Sequence, residues 1–362
     1  MEICSMNENE NVSTCSSNTM SMDCFMVLST PAQKIGITVL CCFFGTVCIF
    51  ENSLVLYLIF SSIKIRRKPS YVFISSLALA DLLASINFVG SFIRFHVFEV
   101  TDSRDIFLLK LGAVNTAFTA SLGSLLLMAL DRYVCICKPS EYKIIITRKK
   151  ALVALAVLWM TTMVIAFLPL MGWNCCTLNS TCSELFPFLD DKYLSSWISL
   201  VMILLVCIIY AYMHVLWKAH KHTAYMEKRQ TQAVQQNAKM RLDVTLAKTL
   251  AIVLTVLMVC WSPMLALMMY SIFVSLNNHI KKVFAFCSTL CLVNSMVNPI
   301  VYALRSRELR SSLRNACSWC RKKLKIPGSN QEVDSTQKLS TIGTVCEDAG
   351  CSTDWPQPKS EL

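Results

Sequence analysis

Long apolar runs separated by short polar segments make up most of this chain. A helix that crosses a bilayer needs about 20 mostly apolar residues. Runs of that kind lie near residues 35–60, 71–97, 107–135, 151–171, 193–217, 244–271 and 283–304. The connections are short except the one from Lys218 to Lys248, which is polar, rich in Gln and Lys, and has no apolar stripe of its own. The pattern therefore predicts an all-α fold, a bundle of transmembrane helices with seven spans.

The composition indicates that a bilayer is the solvent of this chain. Hydrophobic residues make up 54% of it, charged residues only 16%, and the mean hydropathy is +0.51, outside the range of soluble domains. The net charge of +11 would suit nucleic acid, but the basic residues lie in short clusters between apolar runs. We therefore expect no nucleic-acid partner. Eight of the 19 cysteines lie inside apolar runs, where they act as small hydrophobes.

The Lys and Arg residues indicate which side of the membrane each connection faces, because cytosolic loops retain them. With the N-terminus outside, 27 of the 34 Lys and Arg residues fall on the inner side. Two glycosylation sequons, at Asn11 and Asn179, then lie on the outer face. We therefore expect a multi-pass plasma-membrane protein with an extracellular N-terminus, whose first helix, rather than a cleavable signal peptide, directs insertion.

Polar side chains at bilayer depth are costly, so each is a candidate for function. Asp81 lies in the middle of the second span with no basic residue beside it. Its carboxylate could simply be satisfied by neighbouring helices. Together with polar residues of other spans, it instead predicts a buried cluster of water and a cation. The sodium ligands would be Asp81, Ser121, Asn294 and Asn298, with Asn52 and Ser295 beside them.

Three short motifs lie at matching depths of three different spans. DRY at 131–133 ends the third span on the inner side, CWSP at 260–263 lies in the sixth, and NPIVY at 298–302 lies in the seventh. Alone, Arg132 could be one more basic residue of the inner side. A proline within a span removes a backbone hydrogen bond and kinks the helix, which creates a bend that can swing. The three motifs together identify a protein family far more specifically than any one of them does.

Across essentially all seven spans the chain resembles the rhodopsin-like G-protein-coupled receptors, and within them the cannabinoid receptors. The segments that carry the closer resemblance are RRKPSY at 66–71, LPLMGW at 168–173, LWKAH at 216–220, LAKTL at 246–250, FAFCS at 284–288 and VNP at 297–299. As in cannabinoid and lysophospholipid receptors, no cysteine marks the outer start of the third span, and the fifth span lacks the usual proline. The resemblance implies a disulfide between Cys175 and Cys182 within the second outer loop, with Cys176 as the competing partner.

The third span has no acid where an amine receptor needs one, since this segment reads LGAVNT at 111–116. The family's pocket positions instead suggest a cavity that binds by apolar burial, although any single aromatic residue could equally contact lipid or another helix. The ligand-binding positions implied are Phe88, Phe92, Phe95, His96, Lys110, Val114, Phe118, Phe186, Tyr193, Trp197, Trp261, Met268, Phe284 and Ser288. Hydrogen bonds to a ligand would come from Ser288, Thr116 and His96.

Lys110 is the one basic group expected near the mouth of this pocket. It either contacts the ligand or extends to the outer membrane interface. By resemblance, receptors for charged lysophospholipids have a basic and an acidic residue here, and Leu111 supplies no acid. This favours a lipid with a neutral head group, such as a fatty-acid ethanolamide or glycerol ester. Asn115 stands where cannabinoid receptors carry threonine, so the ligand preference of this chain is expected to differ.

The resemblance also implies a switch that couples ligand to an inhibitory heterotrimeric G protein and so lowers adenylate cyclase activity. The residues are Asp131, Arg132, Tyr133, Tyr212, Asp243, Asn298, Pro299 and Tyr302. Asp243 either pairs with Arg132 in the inactive state or interacts with the dipole of its own helix. Phe118 and Trp261 are expected to stack in the inactive state and to separate when an agonist binds.

We expect four parts along the chain: an extracellular tail at 1–33, the seven-transmembrane receptor domain at 34–304, an amphipathic membrane-surface helix at 305–320, and a disordered cytoplasmic tail at 321–362. Basic residues on the surface helix would contact anionic membrane lipids, and Cys317 or Cys320 would be palmitoylated. Tail hydroxyls, among them Ser335, Thr336, Ser340, Thr341 and Thr344, suit a receptor kinase and arrestin.

Other functional classes fit less well. No metal triad, nucleophile with its base, or phosphate-binding loop is present, so we expect neither an enzyme nor a cofactor. Transporters usually contain internal repeats with paired broken helices, and the two halves of this chain share no such repeat. A lysophospholipid receptor is the main alternative, followed by a membrane transporter.

Overall fold

The computed structural model describes residues 25–138, 140–228 and 233–323. This part of the chain is helical, with two isolated β-bridges in the loop that follows the fourth span. The helices are α1 (Pro31–Ser61), α2 (Ile63–Arg66), α3 (Pro69–His96), α4 (Arg104–Cys137), α5 (Tyr142–Ile145), α6 (Arg148–Phe167), α7 (Cys175–Leu178), α8 (Asp191–Lys228), α9 (Ala233–Phe273), α10 (Asn278–Ser288), α11 (Leu290–Arg305) and α12 (Arg307–Lys323).

Seven helical segments in these residues are long and apolar enough to cross a membrane, which confirms the predicted fold class. They are Pro31–Ser61, Pro69–His96, Arg104–Cys137, Arg148–Phe167, Asp191–Lys218, Leu254–Phe273 and Asn278–Tyr302, numbered here as the first to seventh spans. Their outward faces carry large exposed apolar side chains such as Phe50, Val157 and Ile203. An apolar surface of this extent suits contact with lipid chains.

The connection between the fifth and sixth spans differs from its predicted form. The sequence indicated a polar link from Lys218 to Lys248, but α8 continues to Lys228 and α9 begins at Ala233. Gln, Lys, Met and Ala all favour helix, so the backbone continues helically past the apolar run. The apolar pattern marked where the membrane ends and did not mark where the helix ends.

Hydroxyl and amide side chains begin three of the spans. Thr30 accepts the backbone N–H of Gln33 at 3.3 Å at the start of α1, and Pro31 follows in the first helical turn. Thr147 begins α6 in the same way, and Asn277 accepts the N–H of Ile280 at 2.9 Å before α10. These caps satisfy backbone donors that the first turn of a helix leaves unpaired.

The seventh span is broken in the middle, between α10 and α11. The hydroxyl of Thr289 donates to the carbonyl of Phe286 at 2.7 Å, and Ser288 donates to the carbonyl of Ala285 at 2.8 Å. Such bonds compete with the helical ladder for the carbonyl oxygen. The motif prolines Pro263 and Pro299 lie inside α9 and α11, so this break is an additional one that the motifs did not indicate.

The helices pack closely where glycines replace larger residues. A Cβ atom on Gly123 would lie 2.3 Å from the side chain of Leu158, and one on Gly112 would lie 2.7 Å from the ring of Phe167. Small residues at helix interfaces in membranes allow backbones to approach in this way. The third span is therefore held tightly against the fourth, at the centre of the bundle.

Helix α12 docks beneath the first and second spans. Leu309 is buried in a cluster with Val55, Ile59 and Tyr71, and the hydroxyls of Tyr71 and Ser306 are 2.6 Å apart. The ion pair between Lys68 and Glu308 has an N–O distance of 2.7 Å. These contacts anchor the helix that the sequence predicted after the seventh span, on the same side as the DRY motif.

Candidate functional site

The loop between the fourth and fifth spans, which is the second outer loop in the expected orientation, contains a disulfide between Cys175 and Cys182, and this confirms the predicted pairing. Asp190, which is buried, accepts hydrogen bonds from the indole N–H of Trp173 at 3.2 Å, from the backbone N–H of Tyr193 at 3.0 Å, and from the hydroxyl of Ser180. The loop is thus tied to the start of the fifth span.

A cavity opens beside this loop, on the side of the bundle where the first span begins. Its space is about 1130 Å³ when the open mouth is included, and its concave, mostly apolar lining is of the kind that small-molecule sites have. Its walls come from the second, third, fifth, sixth and seventh spans and from the loop. The residues that the sequence analysis assigned to a pocket and that line it are Phe88, Phe92, Phe95, His96, Lys110, Val114, Phe118, Phe186, Trp197, Met268, Phe284 and Ser288.

Three residues that were expected to contact a ligand lie outside this lining: Tyr193, Trp261 and Thr116, whose hydroxyl donates to the carbonyl of Gly112 at 2.8 Å. Tyr193 borders a smaller adjoining pocket of about 220 Å³, and its hydroxyl donates to the carbonyl of Ile165 at 3.1 Å. Trp261 is only 1% exposed and lies beneath the cavity floor, against Phe118. Any ligand effect on Trp261 would therefore pass through Phe118.

Aromatic rings form a continuous wall on the second span. Phe88 stacks on Phe92 with ring centroids 5.0 Å apart, and Phe92 lies 4.4 Å from the ring of His96. The Nδ1 atom of His96 is buried and has no hydrogen-bond partner among the described residues. The wall is thus apolar except for the imidazole of His96, whose Nδ1 atom is buried without an acceptor or donor beside it in the described part of the chain.

Lys110 forms an ion pair with Asp102, with an N–O distance of 2.5 Å. The expectation that it is the one basic group near the mouth is wrong, because Lys281 also lines the cavity. Lys281 lies 3.9 Å from Glu184 of the second outer loop. The paired lysines at 281 and 282 were visible in the sequence, but nothing there indicated which of them faces inward.

The sequence analysis also missed the segment that precedes the first span. Phe25 and Val27 line the cavity, and Val27 and Leu28 are buried against Ile37 and Ala285. The four apolar residues at 25–28 were the available signal, but they lie in a stretch that is otherwise polar. This segment covers the side of the mouth between the first and seventh spans.

Phe118 and Trp261 touch as predicted but do not stack. Their ring centroids are 5.7 Å apart and their planes are inclined at 86°, an edge-to-face contact. Such pairs prefer edge-to-face or offset arrangements because the ring face is negative and the edge positive. Leu257, one turn before Trp261 in the same helix, is fully buried in the same core cluster.

The Asp81 cluster lies deeper, between the second, third and seventh spans. The carboxylate accepts hydrogen bonds from Ser121 at 2.7 Å, Ser295 at 2.9 Å and Asn298 at 2.8 Å. Asn294 is buried nearby in α11. The described residues contain no group of three or more His, Cys, Asp or Glu side chains arranged for a metal. A sodium ion here would depend on one carboxylate and neutral oxygens, a donor set that suits a hard monovalent cation.

At the inner end of the third span, a polar network surrounds Asp131 and Arg132. The guanidinium donates to Asp131 at 2.7 Å and to the hydroxyl of Ser70 at 2.6 Å, and Ser70 in turn donates to Asp131 at 3.1 Å. Tyr142 of α5 donates to the other oxygen of Asp131 at 2.8 Å. Burial and the neighbouring Asp131 carboxylate raise the pKa of Tyr142 to about 12, so this hydroxyl stays a donor.

The remaining switch residues lie near the same inner surface. Tyr133 contacts the ring of His214 at 5.0 Å, and Tyr212 and Tyr302 are buried. Pro299 follows Asn298 inside α11. The side chain of Asp243 lies outside the described part of the chain, so its expected pairing with Arg132 stays a prediction.

The predicted modification sites are only partly described. Asn179 is exposed at the end of α7, and Cys317 is an exposed free thiol on α12. Asn11, the side chain of Cys320 and the tail hydroxyls lie outside the described residues. Glycosylation, palmitoylation and phosphorylation stay predictions at these positions.

Comparison with known proteins yields similarity over nearly the whole chain. Residues 51–302 match the model of the rhodopsin family of seven-transmembrane receptors, a stretch that includes the DRY, CWSP and NPIVY motifs. Cannabinoid receptor 2 from Homo sapiens is 48% identical over 99% of this chain and 98% of its own length. The Rattus norvegicus protein of that name is 52% identical over 89% of both chains. Cannabinoid receptor 1 from Taricha granulosa is 47% identical over 91% of this chain and 71% of its own.

Proposed function

Because the chain belongs to the rhodopsin family of seven-transmembrane receptors, and within it to the cannabinoid receptors, we propose that it binds endocannabinoid-type lipids with neutral head groups. We further propose that the N-terminus is extracellular, that the chain couples to an inhibitory heterotrimeric G protein, and that coupling lowers adenylate cyclase activity. As a member of this family it is a multi-pass membrane receptor and not an enzyme.

The observation that carries the ligand proposal is the lining of the outer cavity. Its walls are mainly aromatic and aliphatic, and burial of an acyl chain against them contributes about 25 cal/mol per Å². The two acids of the lining, Asp102 and Glu184, both lie beside lysines, so neither is a free counterion for an amine. A long apolar chain with a small neutral head fits this arrangement.

The inner network supports the coupling proposal. Arg132 is held by Asp131 and Ser70, contacts that a G protein would have to replace in order to engage the guanidinium. The Asp81 cluster and Trp261 lie between the cavity and the inner face. Both are packed against residues of several spans. We propose that a cation at Asp81 favours the inactive arrangement, and that receptor kinase and arrestin act on the tail.

The test measures nucleotide exchange in membranes that contain the full chain and an inhibitory heterotrimeric G protein. A fatty-acid ethanolamide or glycerol ester is expected to stimulate uptake of a GTP analogue. Arg132→Ala is expected to remove the stimulation and to leave ethanolamide binding nearly intact, because Arg132 lies at the opposite end of the third span. Stimulation by a lysophospholipid alone would favour the alternative receptor class, and solute flux without exchange would favour a transporter.

A further inference from the structure

Lys281 and Glu184 form a loosely joined pair at the mouth of the cavity. The ammonium nitrogen of Lys281 lies 3.9 Å from Oε2 of Glu184, beyond normal hydrogen-bond distance. The same oxygen already accepts the backbone N–H of Leu276 at 2.6 Å. The Lys281 side chain is only 15% exposed, and its ammonium makes no hydrogen bond to the described residues. The ammonium also lies 5.9 Å from the ring centre of Phe25, a contact that partly stabilises the charge but accepts none of its N–H donors. A ligand acceptor would therefore lower the cost of burying this cation.

The other lysine of the lining differs in this respect. Lys110 is paired with Asp102 at 2.5 Å, and Asp102 also lies 3.8 Å from Arg94. A ligand that bonded to Lys110 would have to compete with this carboxylate. A ligand that bonded to Lys281 would displace no hydrogen bond. Of the two lysines, Lys281 is therefore the one prepared to donate to a ligand.

The position of Lys281 on α10 connects it to the apolar wall. Phe284 and Ser288 also line the cavity, and the spacing i, i+3, i+7 places all three on one face of the helix. The ring of Phe284 meets Phe186 of the second outer loop edge to face at 5.7 Å. A lipid whose head lies at Lys281 can thus extend its chain directly along aromatic rings.

We propose, on the premise of the proposed function, that Lys281 and Glu184 together form the head-group site for a neutral acyl lipid. The Lys281 ammonium donates to the amide or ester carbonyl of the head. Oε1 of Glu184, which accepts no hydrogen bond from the described residues, accepts from the head hydroxyl. A donor beside an acceptor matches a head that contains both a carbonyl and a hydroxyl. The Glu184 carboxylate repels an anionic head, so this site is expected to favour neutral lipids.

The first experiment measures saturation binding of tritiated arachidonoyl ethanolamide to membranes with matched surface levels of the full receptor. Lys281→Gln is expected to weaken binding by about tenfold, the loss of one hydrogen bond to a charged group. Lys281→Arg is expected to retain most of the affinity. Lys282→Gln is the matched control, because the ammonium of Lys282 lies 3.4 Å from the hydroxyl of Ser29 and does not line the cavity. This variant is expected to bind the ethanolamide as tightly as the wild type does.

The second experiment separates the two halves of the site. Glu184→Gln is expected to weaken the ethanolamide more than the N-ethyl amide of the same acid, which lacks the hydroxyl. The same variant is expected to bind unesterified arachidonic acid more tightly than the wild type, because the opposing charge is gone. This comparison between ligands on one variant remains informative even where Lys281→Gln folds poorly.

Equal ethanolamide affinity for Lys281→Gln and Lys282→Gln would overturn the head-group assignment, as would a tenfold loss in Lys110→Gln with none in Lys281→Gln. In either case saturable ethanolamide binding by the wild type would leave the proposed function standing. Absence of saturable binding by the wild type would instead reject the proposed function itself. The two failures are thus distinguished by the wild-type measurement.

Discussion

The edge of one aromatic ring, Phe118 at the cavity floor, meets Trp261 of the sixth span at a centroid distance of 5.7 Å. Phe118 borders the cavity, and Trp261 lies two residues before the kink proline Pro263. A ligand that moves Phe118 therefore also disturbs Trp261, which lies close to the bend of the sixth helix. An aromatic pair contributes about 0.5–1.5 kcal/mol beyond area burial, enough to bias two states that differ by a few kcal/mol.

Phe118→Ala is expected to raise ligand-independent nucleotide exchange several-fold, up to about tenfold, because the contact that restrains Trp261 is lost. The measurement is GTP-analogue uptake in membranes matched for receptor amount, without ligand and then with an inverse agonist, whose effect is expected to weaken. Phe92→Ala is the control, since Phe92 belongs to the same aromatic wall but stacks on Phe88. Basal uptake at or below the wild-type level, with surface expression preserved, would show that this pair does not hold the inactive state.

Tyr142→Phe is expected to raise basal exchange about two- to fivefold, because Asp131 loses one hydrogen bond, worth about 0.5–1 kcal/mol net, and holds Arg132 less firmly. The pKa of Tyr142 is raised to about 12, so the hydroxyl remains protonated and its contribution is lost only as pH rises from about 10 towards 12. The effect is therefore expected to be constant between about pH 6 and 8. Tyr57→Phe, at an exposed position of the first span, is the control, and an equal change in both variants would contradict the role of Tyr142.

Asp81→Asn is expected to abolish any dependence of agonist affinity on sodium, because the ion loses its only carboxylate ligand in the cluster. The measurement is ethanolamide affinity with and without about 150 mM sodium, at constant ionic strength. Ser85→Ala serves as control, since this neighbour donates to the backbone carbonyl of Asp81 and not to its carboxylate. Sodium dependence that persists in Asp81→Asn, or that is absent from the wild type, would remove the proposed site.

Cys175→Ser and Cys182→Ser are each expected to weaken ethanolamide binding by tenfold or more. The disulfide closes a loop with a sequence separation of 7, a constraint worth about 2–3 kcal/mol in a chain-entropy account, and Phe186 and Glu184 of the cavity follow directly. Cys207→Ser, at an exposed free thiol of the fifth span, is expected to bind as the wild type does. Unchanged affinity in both loop variants would show that the disulfide does not shape the mouth.

Much of the architecture could be read from the sequence because its causes are local. The length of each apolar run is set by the thickness of the bilayer, and the distribution of Lys and Arg is expected to set the orientation. Motif positions such as DRY and NPIVY identified the wider family, and the closer resemblance to cannabinoid receptors implied the pairing of Cys175 with Cys182. The helices beyond Lys218 were missed because helix formation outside the membrane needs no apolar run.

What only the tertiary structure decided is which polar groups meet. Lys110 and Lys281 are both lysines near an outer helix end, yet one is neutralised by Asp102 and the other lies 3.9 Å from Glu184. The edge-to-face contact of Phe118 and the break at Thr289 likewise depend on the approach of neighbouring groups. By itself the sequence determined the spans and the family, because the length of an apolar run and the residues of a motif are local features, and the family resemblance in turn implied most of the cavity wall. It could not assign the polar contacts at the mouth, because a hydrogen bond or ion pair depends on separations of a few tenths of an ångström, which the packing of distant segments sets.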